Sequence, residues 1–463
     1  MCEAQQPGVL RREDYMNIPQ HKNVIWIFGD QHRGQALALH GDPNLLTPHI
    51  DQLAREGMDF PNARTGDPLC CPARGSLLTS LYPHQCVPGH EYRMPESCKT
   101  VAHAFHDHHY ETAWFGKWHL DGFKEATGRA AFHTVPPERR GSFDTWIGYE
   151  NNNSQYDCWV HGHEAGGAEI ERYRLPRYET DALTDLLINF LKTKQKEQAH
   201  GAMRPFFAGL SVQPPHDPYV APEAFARKHQ PESIILRPNV PPVESIVQRA
   251  RTDLAGYYAM IENLDWNLGR VREALRQCGL DQSTYILFFS DHGDLHGCHG
   301  QFRKTSPLEE SVRVPFIIGG PSGDRPAKHE CPALLDLMDI APTSLGLCGI
   351  DKPAAMRGRD LSGLYRPDRP RPEPADSTYL QSVISPNHWD TVDRPWRGIV
   401  TSDGWKLACI EGQPWMLFDL NEDPLEMVNL AFNFRYAKKR GELLTRLRDW
   451  IEKTEDSFRL PEL

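Results

Sequence analysis

Four short apolar runs constrain the fold of this chain more than any other feature. Each run is rich in β-branched or aromatic residues, is too short for a helix, and lies between turn-forming residues. Polar and apolar residues do not alternate along the runs, and such continuous apolar character predicts strands buried on both faces, as in a parallel sheet covered by helices. The runs are NVIWIF (23–28), TAWF (112–115), PFFAGLS (205–211) and TYILFFS (284–290).

Helical patterns lie between these runs. One is predicted between an N-cap at Thr47, followed by Pro48 at the first helical position, and a stop at Gly57. A longer helix is predicted from Thr252 to Cys278, with leucine, isoleucine and valine side chains on one stripe. Strands that alternate with helices predict an α/β fold.

Polar side chains follow each of the four predicted strands. In an open α/β sheet the ligand site lies beyond the carboxyl ends of the strands, so we expect one edge of the sheet to carry the chemistry. Taken singly, an aspartate after a strand is usually a helix cap and a histidine there is usually a loop residue. It is hard to explain all four groups together as helix caps and loop residues. They are Asp30 with Gln31, Lys117 with His119, His216, and Asp291 with His292.

Two adjacent cysteines precede a predicted helix in the segment DPLCCPARGSLLTS (67–80). Pro72 is expected at the first helical position, which places Cys70 just before the helix, and the helix is expected to end near Pro83. Unpaired backbone N–H groups and the helix dipole favour an anion at that point, either a reactive group or a bound oxyanion. Arg74 has the wrong sign for that dipole, which indicates another purpose. The simpler alternative is that both cysteines only fill the core.

Composition excludes several classes of partner. A net charge of −11 argues against a nucleic acid. No run approaches the roughly 18 apolar residues of a membrane span, and the first residues contain no apolar signal region, so we expect a cytoplasmic protein without a membrane partner. Eleven cysteines without a C-x-x-C pair fit reduced thiols better than a disulfide framework. The oligomeric state is left open.

At this point the sequence resembles the type I sulfatases of the alkaline phosphatase superfamily. Their signature C-x-P-x-R matches CCPAR (70–74), and the position of the proline selects Cys70 for chemistry and leaves Cys71 as a packing residue. In that family the first cysteine is oxidised enzymatically to formylglycine. The resemblance therefore implies this modification of Cys70, and a formylglycine-generating enzyme as the partner during maturation.

Further motifs occur in the family's order: GKWHL, SDHG, a segment carrying a second active-site lysine (Lys304), and a D-P-x-E-x-x-N-L close at 423–430. The resemblance implies a large mixed, mostly parallel sheet sandwiched by helices in a catalytic α/β domain (20–365). A smaller domain of antiparallel sheet plus helix (375–463) would follow a proline-rich connector (366–374). There are two departures: Gln31 stands where many members have a second aspartate, and the family is mostly exported.

The resemblance also implies one divalent metal, held by Asp30, Gln31, Asp291 and His292. A set dominated by oxygen ligands suits Ca²⁺, with Mg²⁺ as the other option. The competing interpretation is that Asp291 and His292 merely cap a helix.

In the implied reaction an aldehyde at position 70 hydrates to a geminal diol, and one hydroxyl attacks the sulfur of a sulfate ester. Three cations are expected to spread the charge on the sulfuryl oxygens: Arg74, Lys117 and Lys304. His216 would protonate the leaving oxygen as general acid. His119 would take the proton of the second hydroxyl, so that sulfate is expelled.

Loop residues suited to sugar hydroxyls and faces are expected to contact a small sulfated substrate, a carbohydrate sulfate or an aryl sulfate; they are His90, Asn151, Trp159 and Arg303. Two alternatives remain. A phosphonate monoester or phosphodiester hydrolase on the same scaffold is less favoured, because such relatives typically lack the Lys-x-His pair found at Lys117 and His119. A non-catalytic binding homologue would keep Cys70 as a thiol.

Overall fold

The computed structural model describes residues 22–386 and 391–462 of the chain. The strands in chain order are β1 (Asn23–Gly29), β2 (Met58–Asp59), β3 (Ala63–Arg64), β4 (Glu111–Lys117), β5 (Thr145–Tyr149), β6 (Trp159–His163), β7 (Glu169–Arg174), β8 (Phe206–Val212), β9 (Thr284–Ser290), β10 (Phe316–Gly319), β11 (Leu335–Asp336), β12 (Ser377–Ser382), β13 (Trp396–Thr401), β14 (Trp405–Ile410) and β15 (Gln413–Asp419). The α-helices are α1 (Pro48–Glu56), α2 (Cys70–Thr79), α3 (Val101–His106), α4 (Glu179–Ala199), α5 (Glu223–Ala226), α6 (Glu244–Gln277), α7 (Glu309–Val312), α8 (Ile340–Leu347), α9 (Ser362–Tyr365) and α10 (Ala437–Thr454).

The large sheet has nine strands in the order β2-β10-β9-β1-β8-β4-β5-β6-β7. The four predicted apolar runs form its centre, as β9, β1, β8 and β4, and these strands pair in parallel. Both edges are antiparallel, so the sheet is mixed, as expected. The register brings the strand ends level, because Gly29 pairs with both Val212 and Ser290. Residues that follow these strands therefore emerge side by side.

Both faces of the sheet are buried, which explains why the strands show no alternation. Along β1, Val24, Trp26 and Phe28 belong to one hydrophobic cluster, together with residues of α2, α3 and α8. Ile25 and Ile27 point to the opposite cluster, which contains residues of α1, α4 and α6. The prediction of a sheet between two helical layers is confirmed.

Three details of the helices differ from the sequence predictions. Helix α2 begins at Cys70, two residues earlier than predicted, and ends at Thr79, where Ser80 takes a left-handed conformation. Helix α6 begins at Glu244, eight residues earlier than Thr252. The Thr47 hydroxyl does not cap α1: it accepts from the Ala38 N–H at 3.1 Å and donates to Asp51.

The second sheet is antiparallel, in the order β12-β13-β14-β15, and helix α10 packs against it. This arrangement confirms the predicted C-terminal sheet plus helix, while the exact domain boundaries stay a prediction. The cysteines of the described part of the chain are all free thiols. None of the helices formed by the described residues combines the length and the apolar character of a membrane-spanning segment.

Candidate active site

The ends of the parallel strands bring four potential metal ligands together. Ligand atoms of Asp30, Cys70, Asp291 and His292 all lie within 4.8 Å of one another, and all four residues are buried. Asp30 follows β1, Asp291 and His292 follow β9, and Cys70 opens helix α2. Neighbouring parallel strands that end at one level produce this convergence.

His292 presents a lone pair to this cluster. Its Nδ1 lies 3.0 Å from the Gly293 carbonyl oxygen, and because a carbonyl only accepts, Nδ1 carries the proton. Nε2 therefore faces Cys70 Sγ, at 3.2 Å, as an unprotonated nitrogen. Burial lowers the pKa of His292, which keeps the imidazole neutral as a metal ligand requires.

Gln31 adds a carbonyl-type oxygen to the same set. Its Nε2 donates to Asp294 Oδ2 at 2.5 Å, and its Oε1 is buried without a hydrogen-bond partner among the described residues. The Tyr219 hydroxyl also donates to Asp294 Oδ2, at 2.6 Å. The Gln31 backbone N–H donates to Asp291 Oδ1 at 3.1 Å, so this residue adjoins the cluster, and an unpaired buried amide oxygen together with the carboxylates of Asp30 and Asp291 fits Ca²⁺ or Mg²⁺.

Arg74 holds the two carboxylates of the cluster in place. Its Nη2 lies 3.1 Å from Asp30 Oδ2, and its Nε lies 3.0 Å from Asp291 Oδ2. Its Nη1 donates to the Ser211 hydroxyl and to the Lys117 carbonyl oxygen. All three nitrogens are thus within reach of an acceptor, and Arg74 contacts the acids of the cluster; its role in spreading charge on the sulfuryl oxygens stays a prediction.

Lys117 is also turned toward the acids. Its Nζ lies 2.7 Å from Asp30 Oδ2, and both side chains are fully buried. Burial alone would raise the pKa of Asp30, but Lys117 and neighbouring cations outweigh it and hold that pKa well below its usual range. Asp30 is therefore ionised, as a metal ligand must be.

Lys304 contacts both Cys70 and His216. Lys304 Nζ is 3.0 Å from Cys70 Sγ and 3.0 Å from His216 Nε2. Burial would lower the pKa of Lys304, but the adjacent Cys70 and Asp30 raise it, so the ammonium stays charged. His216 Nδ1 bonds the Asp217 carbonyl oxygen at 2.7 Å and lies 3.3 Å from its carboxylate.

His119 is a buried neutral imidazole. Burial, with Lys117 and His90 beside it, holds the pKa of His119 well below its usual range. Its Nδ1 has no hydrogen-bond partner within the described residues, and its ring meets His90 edge-on at 5.4 Å. An unprotonated imidazole with an open nitrogen is suited to accept a proton. Cys71 packs in the apolar cluster beneath, with Sγ 4.0 Å from His90 Nδ1.

A cavity of about 260 Å³ lies next to Cys70, His216 and Lys304 and is called here the reaction cavity. Its wall includes most of the predicted catalytic and substrate residues, namely Cys70, His90, His119, Asn151, His216, Arg303 and Lys304. Trp159 does not line it, contrary to expectation. Its indole N–H donates to Asp157 at 3.0 Å, and its ring packs on Phe132.

Several residues of the site were not predicted from the sequence. Glu125, Asn153 and Asp217 also line the reaction cavity, and Asp294 anchors Gln31. Asp217 and Asp294 stand next to or near predicted residues, in HDPY and SDHGD, and that proximity was the available signal. Glu125 and Asn153 lie in loops without a recognisable motif.

Comparisons with known proteins agree on one family. Residues 22–350 match the family model described as Sulfatase, and residues 297–453 match that of the N-sulphoglucosamine sulphohydrolase C-terminal region. The chain is 33% identical over 459 residues to the ulvan-active sulfatase of Formosa agariphila, which covers 95% of this chain and 83% of that protein. It is 28% identical to the endo-4-O-sulfatase of Bacteroides thetaiotaomicron, over 89% of each chain. A chain solved in work on glycosaminoglycan metabolism by Bacteroides thetaiotaomicron superposes with a TM-score of 0.81 at 26% identity, covering 94% of this chain and 97% of that one.

Proposed function

The chain belongs to the sulfatase family and is a sulfuric ester hydrolase, and from that premise we propose that it removes sulfate from a carbohydrate, using formylglycine made from Cys70 and Ca²⁺ held beside it. The observation that carries the proposal is the excess of buried cations around Cys70. Arg74, Lys117 and Lys304 are each at most 3% exposed. Arg74 and Lys117 pair with Asp30 and Asp291, whereas Lys304 forms no ion pair among the described residues and presents a buried ammonium next to Cys70.

A buried positive site selects an anion. Fixed charges that surround a water-poor pocket stabilise negative charge without reorganisation, and this is the usual source of rate enhancement in transfers of anionic groups. Lys304 is the cation that lines the cavity next to Cys70 and is placed to contact a sulfuryl oxygen. Arg74 and Lys117 act through the acids, because they neutralise and orient Asp30 and Asp291.

The metal would be held by Asp30, Gln31, Asp291 and His292. When bound, a divalent cation acidifies a coordinated hydroxyl and polarises the sulfate group. Formylglycine supplies that hydroxyl as its hydrate. The protein's own residues then bind the sulfate, orient it toward position 70 and move two protons.

His216 is proposed as the acid for the leaving oxygen. The Asp217 carboxylate lies 3.3 Å from its Nδ1 and stabilises the protonated ring. Burial would raise the pKa of Asp217, but His216, Arg303 and Lys304 outweigh it and lower that pKa to about 2. Asp217 is thus an ionised carboxylate beside the His216 ring. His119, neutral and with an open Nδ1, is proposed as the base.

A carbohydrate is proposed as the leaving group because the cavity wall offers amides, imidazoles and carboxylates, the groups that pair with sugar hydroxyls. The two relatives named for ulvan and for endo-4-O-sulfate activity support the same class. We further propose that maturation requires a formylglycine-generating enzyme, and that the mature enzyme acts in the cytoplasm.

The test combines chemistry and activity. Peptide mass spectrometry of active enzyme should find formylglycine at position 70 and an intact thiol at Cys71, and metal analysis should find one Ca²⁺ per chain. The matured enzyme should hydrolyse sulfated mono- and oligosaccharides faster than phenyl phosphonate or a phosphodiester. Modified Cys71 beside intact Cys70 would contradict the nucleophile, and preferred hydrolysis of the phosphorus esters would contradict the substrate class.

A further inference from the structure

A second cavity adjoins the reaction cavity and shares one wall with it. This side cavity measures about 410 Å³, and Glu125, Asn151 and Asn153 line both cavities. Its other polar walls are Arg129, Asn152, Ser154 and Asp157. Glu125, Asn151 and Asn153 therefore stand at the boundary between the side cavity and the space in front of Cys70.

Asn151 lines both cavities, and its side-chain oxygen has no hydrogen-bond partner among the described residues. The residue is 5% exposed, and its Nδ2 donates to Glu125 Oε1 at 2.5 Å. Its Oδ1 is buried and has no partner among the described residues. Buried acceptors without a partner are rare in folded proteins, so this open oxygen indicates a ligand donor such as a hydroxyl.

The charges of the side cavity select against an anionic ligand. Arg129 is the one basic side chain among the described residues that line it, and Asp157 engages it twice. Its Nη1 donates to Asp157 Oδ2 at 2.6 Å, and its Nη2 donates to the Asp157 carbonyl oxygen at 2.7 Å. With Glu125 also present, the lining carries an excess of negative charge. A second sulfate or a uronate would find no free cation here.

We propose that the side cavity binds a neutral sugar residue adjacent to the sulfated one, so that the preferred substrate is a sulfated oligosaccharide and not a monosaccharide. This inference rests on the proposed carbohydrate activity. The amide groups of Asn151 and Asn152 offer both donors and acceptors, which is the pattern that a polyhydroxylated ring satisfies.

Trp159 supports this site from behind. Its indole N–H donates to Asp157 Oδ1, and Asp157 in turn fixes Arg129. Trp159 therefore contributes to substrate recognition through Asp157, as a positioning residue that does not touch either cavity.

The test compares three substrates that carry the same sulfated sugar: the monosaccharide, a disaccharide with a neutral neighbour, and a disaccharide with a uronate neighbour. In the wild-type enzyme, kcat/KM should be about tenfold higher for the neutral disaccharide than for the monosaccharide, the effect of one or two hydrogen bonds. The uronate disaccharide should show no such gain. Equal kcat/KM for all three, in an enzyme that does hydrolyse them, would overturn the inference and leave the carbohydrate activity standing.

Two arginines provide a matched pair of variants. Arg129 and Arg172 each lie 4.9 Å from the centre of the Phe132 ring, but only Arg129 lines the side cavity. Arg129 Nη2 also donates to Asn152 Oδ1 at 3.4 Å and so orients one of the two amides. Arg129→Ala, which releases that amide, should abolish the disaccharide gain, and Arg172→Ala should keep it. Asp157→Ala, which frees the Arg129 guanidinium, should shift the gain toward the uronate disaccharide. Equal effects of the two arginine variants would overturn the assignment.

A different failure would concern the proposed function itself. If the enzyme hydrolyses phenyl sulfate but no sulfated sugar, the proposed carbohydrate activity is wrong. The side cavity is then tested separately, by measuring the binding of an unsulfated neutral disaccharide with saturation-transfer NMR. Transfer that is lost in Arg129→Ala and kept in Arg172→Ala would support the side cavity as a sugar site. Absence of transfer in the wild-type protein would overturn it.

Discussion

Gln31 illustrates how a single amide can be oriented from outside the metal site. Both carboxylate oxygens of Asp294 accept hydrogen bonds. Oδ2 accepts from Gln31 Nε2 and from the Tyr219 hydroxyl. Oδ1 accepts from the backbone N–H groups of His296 and Arg303. With the Gln31 NH2 group held there, its Oε1 is the end of the amide that is left without a partner among the described residues and free for a cation. Asp294 also ties this amide to the backbone next to Lys304, on the other side of the site.

Asp294→Asn should weaken metal binding. An asparagine must turn its own NH2 group toward donors on one side, which either breaks the backbone contacts or turns the Gln31 oxygen away from the metal. Loss of such an outer partner typically lowers metal affinity about 10–100-fold. Titration calorimetry with Ca²⁺ on metal-free protein measures the change directly. Asp351→Asn, at a side chain 97% exposed, is the control, and an unchanged affinity in Asp294→Asn would rule out this role.

His216 should matter most for poor leaving groups. Sugar alkoxides need protonation as they depart and activated aryl oxides do not, and general acid catalysis contributes about 10²–10⁴-fold. His216→Ala should therefore lose most of its kcat/KM on sugar sulfates and much less on nitrophenyl sulfate. His200→Ala, whose exposed ring bonds only within its own helix turn, serves as the control. Equal losses on both substrate types would exclude His216 as the acid.

At the scale of secondary-structure elements, the loop that carries Lys304 is held from the C-terminal sheet. Arg303 and Thr305 both have positive φ angles, 69° and 73°, so the loop needs outside support to keep this conformation. The Thr391 hydroxyl donates to the Lys304 carbonyl oxygen at 2.5 Å, and the Trp396 indole donates to the Thr305 carbonyl oxygen at 2.9 Å. The second sheet is thus part of the active-site scaffold.

Thr391→Val should lower kcat while leaving stability nearly unchanged. The substitution removes one hydroxyl and keeps the shape, so it costs about one hydrogen bond, roughly 1 kcal/mol or a fivefold loss in rate if the bond positions Lys304. Steady-state kinetics and the thermal midpoint are both measured. Thr445→Val removes a comparable hydroxyl bond on helix α10 and should change neither. A normal kcat in Thr391→Val would show that the loop does not depend on this contact.

The comparison of sequence and structure separates what local pattern encodes from what packing decides. Strands β1, β4, β8 and β9 were predictable because burial on both faces leaves continuous apolar runs, and the residues after them were predictable because parallel strands end at one edge. The start of α2 at Cys70 could not be predicted from the sequence. Proline is tolerated anywhere in the first turn of a helix, so Pro72 does not fix the first helical residue. The contact of Arg74 with the acids could not be predicted either, because only the folded strand ends bring Asp30 and Asp291 within its reach.

At the scale of the whole molecule, a buried ion cluster joins the C-terminal sheet to helix α7 and strand β3, which precede it in the chain. Lys406 on β14 lies 2.8 Å from Glu309 on α7 and 2.7 Å from Glu426, and Glu309 pairs in turn with Arg64 of β3. All of these side chains are at most 6% exposed. Burial would raise the pKa of Glu309, but Arg64 and Lys406 outweigh it and lower that pKa. Burial, together with Glu309 and Glu310, raises the pKa of Glu426 to about 7 although Lys406 opposes this shift. The pairing of Glu309 with both Arg64 and Lys406 therefore links β3 to the C-terminal sheet.

This cluster predicts that the two sheets unfold as one cooperative unit. In the wild-type protein, loss of activity and loss of far-ultraviolet circular dichroism should coincide along a urea titration, as two-state behaviour requires. Lys406→Met leaves Glu309 with one cation fewer and Glu426 with none in the cluster, and breaking a buried ion pair costs about 3–5 kcal/mol. We expect its urea midpoint to fall strongly while the two probes still coincide.

Lys438→Met, at an exposed lysine of α10, is the control and should change stability by less than about 0.5 kcal/mol. If Lys406→Met instead splits the transition in two, with activity lost before the main loss of secondary structure, the sheets are separate folding units and the ion cluster is only a contact between them.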